Sequence, residues 1–215
     1  MHKFKILLLI TPILCVVTIA FAQESKVVIP SFNDKYSKYA AQLESGDLNI
    51  NYTDFRNSFL DSKLFWKKSP AYDSLKKLVY SEMDKKNYNE IIRLTKDMLS
   101  IDYTSMFAHE CLQQTYKNLG DSVNQKKYHD ILFGLFDSII KSGDGKTCKS
   151  GWHVTQIEEE YFILDALGFK LQSQATTNGG RNACDKMVVK SNEGEATYYF
   201  EANKVFEMEK KLFER

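Results

Sequence analysis

The sequence predicts a mainly helical α+β fold, in which helical hairpins are followed by a small antiparallel sheet with helices. Three observations carry that prediction. Apolar residues recur at three- and four-residue spacing from Lys35 to Ile139. Two segments within that stretch superpose at a constant offset. After Ser142 the pattern changes to two-residue alternation broken by Asn and Gly. The chain accordingly divides into residues 1–22, an export signal; 23–33, a flexible leader; 34–141, the helical region; and 142–215, the α+β region.

Lys3 and Lys5 precede an apolar run through Ile6–Leu9 and Ile13–Phe21, and Ala20-Phe21-Ala22 puts small residues before Gln23. These are the three parts of a cleavable signal peptide. The run is shorter than the roughly twenty residues a spanning helix needs. Cys15 lies inside it, after Pro12-Ile13-Leu14, as part of the run and not as a lipid attachment site. The expected mature protein is exported, periplasmic or extracellular, with no membrane insertion after cleavage. Cleavage removes Lys3 and Lys5, leaving 27 basic against 28 acidic residues, which gives nucleic acid no electrostatic reason to bind.

Residues 23–33 contain Pro30 and few apolar positions in register, hence a leader. A short helix is expected from Lys35 to Leu43, stopped by Ser45-Gly46. Thr53 or Asp54 is placed to cap a second helix carrying Phe55, Phe59 and Leu60.

Lys86-Asn87-Tyr88 then superposes on Gly120-Asp121-Ser122 at an offset of 34 residues, the period of tetratricopeptide repeats. In the first unit Leu75, Leu78 and Val79 mark one helix, and Tyr88, Ile91, Ile92 and Leu99 mark its partner. In the second, Ala108, Leu112 and Tyr116 precede the Leu119-Gly120-Asp121 turn, and Tyr128, Leu132, Leu135 and Ile139 follow it. This looks like two tetratricopeptide-like units over residues 72–141. They depart from the pattern where Ile91 and Gln125 replace small residues and Tyr103 replaces the closing proline. Two such units cannot stand alone and need neighbours to cover their ends.

Ser142 to Thr147, with Gly143 and Gly145, ends the helical region. Trp152–Gln156 is expected as a strand. Thr155 and Glu158 have capping-box spacing ahead of a helix through Ile157, Tyr161, Leu164 and Leu167, with Gly168 as its stop. Phe169–Gln174 alternates as a half-buried strand, Thr176–Asn182 reads as a loop, and Asp185–Lys190 and Ala196–Glu201 flank the Asn192-Glu193-Gly194 turn of a hairpin. Val205, Phe206, Met208, Leu212 and Phe213 form one face of a terminal helix.

Three cysteines remain after cleavage: Cys111, Cys148 and Cys184. The export compartment permits a disulfide. Cys148 with Cys184 is the favoured pair, since both lie in polar, Gly-containing stretches whereas Cys111 sits in a helical pattern. Three reduced thiols stay open as the alternative.

Ser142-Gly143-Asp144-Gly145-Lys146-Thr147, Glu159-Glu160-Tyr161, Leu164, Leu167-Gly168, Asp185 with Val188, and Tyr199-Phe200 resemble a secreted bacterial family known as domain of unknown function 4919. The likeness extends back to Tyr52-Thr53-Asp54-Phe55-Arg56. It implies an exported protein and no particular reaction.

Several constellations invite a chemical reading and fail on spacing. Gly143–Thr147 lacks the first glycine of a phosphate loop, since residue 140 is Ile, and it follows a helix where a strand is required. His109, His129 and His153 have no ligand spacing and there is no Cys-x-x-Cys, so no metal or other cofactor is expected. Glu158, Glu159 and Glu160 point in different directions along one helix, where their charge suits the helix N-terminus. No Gly-x-Ser-x-Gly elbow is present, and Cys148 with His153 has no orienting third group.

What remains is recognition. Tyr80, Tyr103, Tyr116 and Tyr128 are placed either to line a concave helical face or to stack in the core. Asp144, Lys146, Trp152, His153 and Glu160 are the candidate binding residues around the glycine loop. The expectation is an exported, non-catalytic interaction or scaffold protein of the cell envelope that binds protein or peptide. The alternative is a small secreted hydrolase acting on peptide or glycan from the 142–153 region.

Overall fold

The structure is a computed structural model that describes residues 26–29, 33–178 and 183–213. The export signal, most of the leader, and residues 179–182 of the expected 176–182 loop lie outside the described residues. Among the described residues the helices are α1 (Lys35–Glu44), α2 (Tyr52–Leu60), α3 (Ser69–Asp84), α4 (Tyr88–Ile101), α5 (Met106–Leu119), α6 (Ser122–Ile140), α7 (Ile157–Ala166) and α8 (Asn203–Phe213). The strands are β1 (Trp152–His153), β2 (Lys170–Asn178), β3 (Ala183–Ser191) and β4 (Gly194–Glu201). The fold is mainly helical α+β, as the periodicity predicts.

Helices α1, α2, α5 and α6 start on a side-chain cap that satisfies a backbone N–H otherwise left without a partner. Asp34 accepts from Ser37 N, Ser105 from Ala108 N and Asp121 from Asn124 N. Helix α2 begins earlier than expected. Asn51, not Thr53 or Asp54, is its cap, because the Asn51 side-chain oxygen reaches Asp54 N at 2.9 Å. Asp54 is thereby free to accept Tyr39 Oη–H at 2.6 Å and to pair with Lys35, tying α2 to α1.

Helices α3 and α4 form one antiparallel hairpin and α5 and α6 a second, stacked through α4 and α5. The second helices of the hairpins begin at Tyr88 and Ser122, 34 residues apart. The turns before them have the same hydrogen bonds. Asn87 N donates to Glu82 O and Lys86 N to Met83 O; Asp121 N donates to Tyr116 O and Gly120 N to Lys117 O. The left-handed residue of each turn is Lys86, at φ 56°, and Gly120, at φ 74°. One turn geometry is thus built twice, with the suitable residue in only one copy.

Tyr36, Phe55 and Phe59 stack beneath the hairpins, and Tyr36 Oη accepts Tyr103 N at 2.7 Å. His109 is buried between Tyr103 and Tyr128, with Nε2 at 2.8 Å from Tyr103 O. Burial holds its imidazole neutral, with the pKa lowered to about 4. One continuous apolar core runs from these rings to Ile163, Met187, Val189 and Phe200 in the C-terminal part.

The sheet has the order β1-β4-β3-β2. Strands β2, β3 and β4 are antiparallel, and the expected hairpin pairs Lys190 with Glu195 and Asp185 with Phe200. Two expectations are corrected. Strand β1 pairs parallel to β4, so the sheet is mixed; the connection between them contains α7, β2 and β3, long enough to bring the chain back in the same direction. Strand β2 continues to Asn178, where a loop was expected from Thr176, because Thr176–Asn178 stay in register with Asp185, Cys184 and Ala183. Helix α8 buries Val205 and Met208, while the side chains at 212 and 213 lie outside the described residues.

Cys148 and Cys184 form a disulfide, and Cys111 is free and buried. The bond joins residues 36 apart in sequence, a closure worth about 4 kcal/mol in the chain-entropy account. It anchors the loop before β1 to β3.

Replacing Lys86 by Gly relieves the left-handed backbone at a position exposed to solvent. The expected outcome is a stabilisation of about 0.5 kcal/mol, the relief exceeding the extra freedom of an unfolded glycine. It would be read as a higher urea midpoint at unchanged slope, and a lower midpoint would contradict it.

His109 generates a second prediction. Its folded pKa lies below the unfolded value of 6.5, so its stabilising contribution is complete above pH 6.5 and declines as pH falls toward 4. The expected loss is roughly 1.4 kcal/mol per pH unit across that window. His109→Gln, which can still donate to Tyr103 O, should abolish that slope in urea melts; an unaltered slope would place the acid sensitivity elsewhere.

Candidate functional site

Two residues of the family-like motifs, Arg56 and Glu159, meet at one buried joint. Arg56, on α2, donates from Nε and Nη2 to the two carboxylate oxygens of Glu159, on α7, each at 2.8 Å. Arg56 Nη2 also donates to His153 O at 2.8 Å and Nη1 to Ser138 Oγ, on α6, at 3.2 Å. Both partners are buried, at 2% and 4% exposure. Such a two-pronged pair is directional, and in a dry site either partner left alone would be a bare charge.

Glu159 also accepts Thr155 N at 2.7 Å and Gln156 N at 3.4 Å. This explains two departures from expectation. The capping box lies one residue later than predicted, with Gln156 as cap and Glu159 in the place assigned to Glu158. Strand β1 ends at His153 and not Gln156, because the backbone N–H groups of Thr155 and Gln156 turn to the Glu159 carboxylate.

The candidate residues around the glycine loop do not converge. Asp144 is exposed and shapes its own turn, accepting Ser150 Oγ–H at 2.6 Å and Lys146 N at 2.9 Å, and those bonds hold its carboxyl below the usual range. Lys146 projects into solvent. Trp152 is 6% exposed, stacks on Tyr198 and packs at a tilt against Phe200. Gly145, at φ 68°, lies against the indole, where a Cβ would come within 2.9 Å of it. His153 is exposed, with Nε2 at 3.9 Å from Glu201, and Glu160 is fully buried on the inner face of α7. The loop is a structural closure, held by Gly145 O accepting Tyr199 N at 2.8 Å.

A cleft of about 570 Å³ opens instead between α3, α5 and α7. Tyr72, Lys76, Tyr80 and Met83 line it from α3, Phe107, Glu110 and Cys111 from α5, and Glu158, Tyr161 and Asp165 from α7. Tyr80 and Tyr161 are about half exposed, whereas Tyr103, Tyr116 and Tyr128 are buried in the core. At its floor Lys68 Nζ pairs with Asp102 at 2.9 Å, approaches Glu158 at 3.5 Å, donates to Gln156 Oε1, and lies over the Tyr72 ring at 4.7 Å. Beyond Lys68, Gln156 and Glu158 a second cleft of about 250 Å³ is walled by Phe65, Trp66, Ile157, Val205 and Met208.

The floor carries two aliphatic hydroxyls in reach of titratable groups: Thr104, which donates to Asp102 Oδ1 at 2.5 Å and accepts from Gln156 Nε2 at 3.0 Å, and Ser105. Ser105 Oγ is hydrogen-bonded to Tyr72 Oη and caps α5 by accepting Ala108 N at 3.2 Å. The Tyr72 phenol beside Ser105 is not disposed to act as a base. Burial and the Asp102 charge hold the Tyr72 phenol well above its ordinary range. Burial works to lower the Lys68 pKa, but Asp102 and Glu158 outweigh it and keep the ammonium. Burial pushes the Cys111 thiol up to about 12, away from the reactive thiolate. The wall is thus largely apolar and aromatic, with a few charged side chains among the rings.

Among the described residues no group of three or more His, Cys, Asp or Glu side chains is placed to hold a metal ion, and no helix is long and apolar enough to cross a membrane. The sequence model of a family described as domain of unknown function (DUF4919) matches residues 23–211. No curated protein and no solved structure matches the chain.

The Arg56–Glu159 joint sets a test. Arg56→Met should cost about 3–5 kcal/mol, since it leaves Glu159 buried without its cation. Arg56→Met combined with Glu159→Leu should cost clearly less than the sum of the two single changes, a coupling above about 1 kcal/mol in a double-mutant cycle by urea melts. Additive losses would mean that the two side chains act independently.

Proposed function

Because the chain belongs to the DUF4919 family, whose description names no reaction, we propose from its geometry that it is an exported, non-catalytic interaction module that binds a protein or peptide segment in the cleft between α3, α5 and α7. The observation that carries this reading is the cleft itself. It lies along the first helices of two stacked hairpins, the side on which helical repeats offer a concave surface to an extended ligand, and half-exposed aromatic rings face into it.

The 34-residue spacing and the doubled turn geometry support reading the hairpins as tetratricopeptide-like. Export is supported by the three-part signal over residues 1–22, by a family match that starts at residue 23, and by the Cys148–Cys184 bond, which an oxidising compartment sustains. A periplasmic or extracellular location follows from this reading. No cofactor enters it. The alternative, a small hydrolase acting from the 142–153 region, is less favoured because Asp144, His153 and Glu160 do not converge there.

Panning a displayed random-heptapeptide library against a protein of residues 23–215 is expected to enrich ligands. Their affinity should fall about tenfold or more when Tyr80→Ala and Tyr161→Ala are combined, in a variant that circular dichroism shows to be folded at the assay temperature. Ligands that bind the double variant as well as the parent, or no enrichment at all, would sink the proposal.

A further inference from the structure

The geometry points to a lysine or arginine side chain of an extended peptide as the group that the α3–α5–α7 cleft receives, seated between the Tyr80 and Tyr161 rings and the Glu110 and Asp165 carboxylates. This deepens the binding reading and rests on it.

The first observation is the charge around the cleft. Two cations, Lys68 and Lys76, and five carboxylates, Asp102, Glu110, Glu158, Glu159 and Asp165, line it. The pairs already made do not use them all. Glu159 is taken by Arg56, and Lys68 is taken by Asp102 and Glu158 at the floor. Glu110, on α5, and Asp165, on α7, are both exposed, and among the described residues neither is held in an ion pair; Lys76, the other cation of the lining, lies over the Phe107 ring. Burial and the charge of Asp165 push the Glu110 carboxyl up, so the two walls repel each other weakly until a cation comes between them.

The second observation is aromatic. Lys76 Nζ already lies 4.8 Å from the centre of the Phe107 ring, and Tyr80 packs on that ring at 5.3 Å. An ammonium of the chain itself thus occupies the negative face of one ring in this wall. Tyr80 and Tyr161 add two half-exposed rings, the second held by its hydroxyl donating to Gln174 Oε1 at 2.6 Å. Aromatic faces and carboxylates together favour an organic cation over an anion or a neutral sugar, and an arginine or lysine stem can also cover the apolar part of the wall. A cleft of about 570 Å³ has room for a side chain and its flanking backbone.

The test starts from the strongest heptapeptide enriched on the protein of residues 23–215. The expected result is a ligand with at least one Arg or Lys, whose replacement by citrulline or norleucine weakens binding about tenfold. Glu110→Gln with Asp165→Asn should weaken the parent peptide by a similar factor and leave the citrulline or norleucine peptide unaffected. Both carboxylates are exposed, so the thermal midpoint should not move. A ligand without a basic residue, or a basic one that binds the carboxamide variant undiminished, overturns the cation assignment. If such a ligand still loses affinity with Tyr80→Ala and Tyr161→Ala, the groove reading survives. If it does not, both fall together.

Discussion

The arrangement of the whole molecule depends on one buried ion pair, Arg56 with Glu159. Taking both charges out of water costs several kcal/mol per ion, and their mutual attraction offsets that only if every remaining donor and acceptor is satisfied. Here they are nearly all used. The guanidinium reaches Glu159, His153 O and Ser138, and the carboxylate also holds Thr155 N. The pair therefore has one good geometry, and that geometry sets α2, α6, β1 and α7 relative to one another. An apolar contact in the same place would hold the two halves together without fixing their angle.

The consequence for the cleft is direct. Helix α7 forms one wall of it, and Glu159 fixes the first turn of α7 while Glu158, the preceding residue, faces Lys68 and Asp102 at the cleft floor. Successive residues of one helix point in different directions, so a single turn serves the core on one side and the cleft wall on the other. The three consecutive glutamates thereby separate: Glu158 to the cleft, Glu159 to Arg56, Glu160 into the interior.

Local pattern made the helices, the paired hairpins, the β3–β4 turn and the choice of cysteine pair legible, because each is encoded within a few turns of chain or in the contrast between neighbouring segments. The joint was not legible. Arg56 and Glu159 lie 103 residues apart, and nothing in periodicity pairs one arginine with one of three adjacent glutamates. That same missing information shifted the capping box and shortened β1. The candidate residues near the glycine loop drew notice for their residue types, whereas their actual work is local: Asp144 closes a turn and Trp152 packs on Tyr198. The cleft residues Lys76, Tyr80, Glu110 and Asp165 sit on ordinary amphipathic faces, where an exposed charge or ring reads as solvated surface. Only the stacking of α3 beside α5, and the placing of α7 across them, makes a wall of them.

That the cleft exists at all follows from an incomplete cover. Two helical hairpins leave apolar faces at both ends of their stack, and α2 takes one of these by packing on α6. At the other side α7 meets α5, while the outer face of α3 stays open, with Tyr80 half exposed. Closing this gap with apolar side chains would have been the stable solution for a protein with no ligand to admit. The gap is lined instead with rings beside carboxylates, a combination that gains little from its own packing and more from a partner bringing the opposite charge. The carboxylates set beside half-exposed rings in a largely apolar cleft, more than its volume, are therefore what argue for recognition.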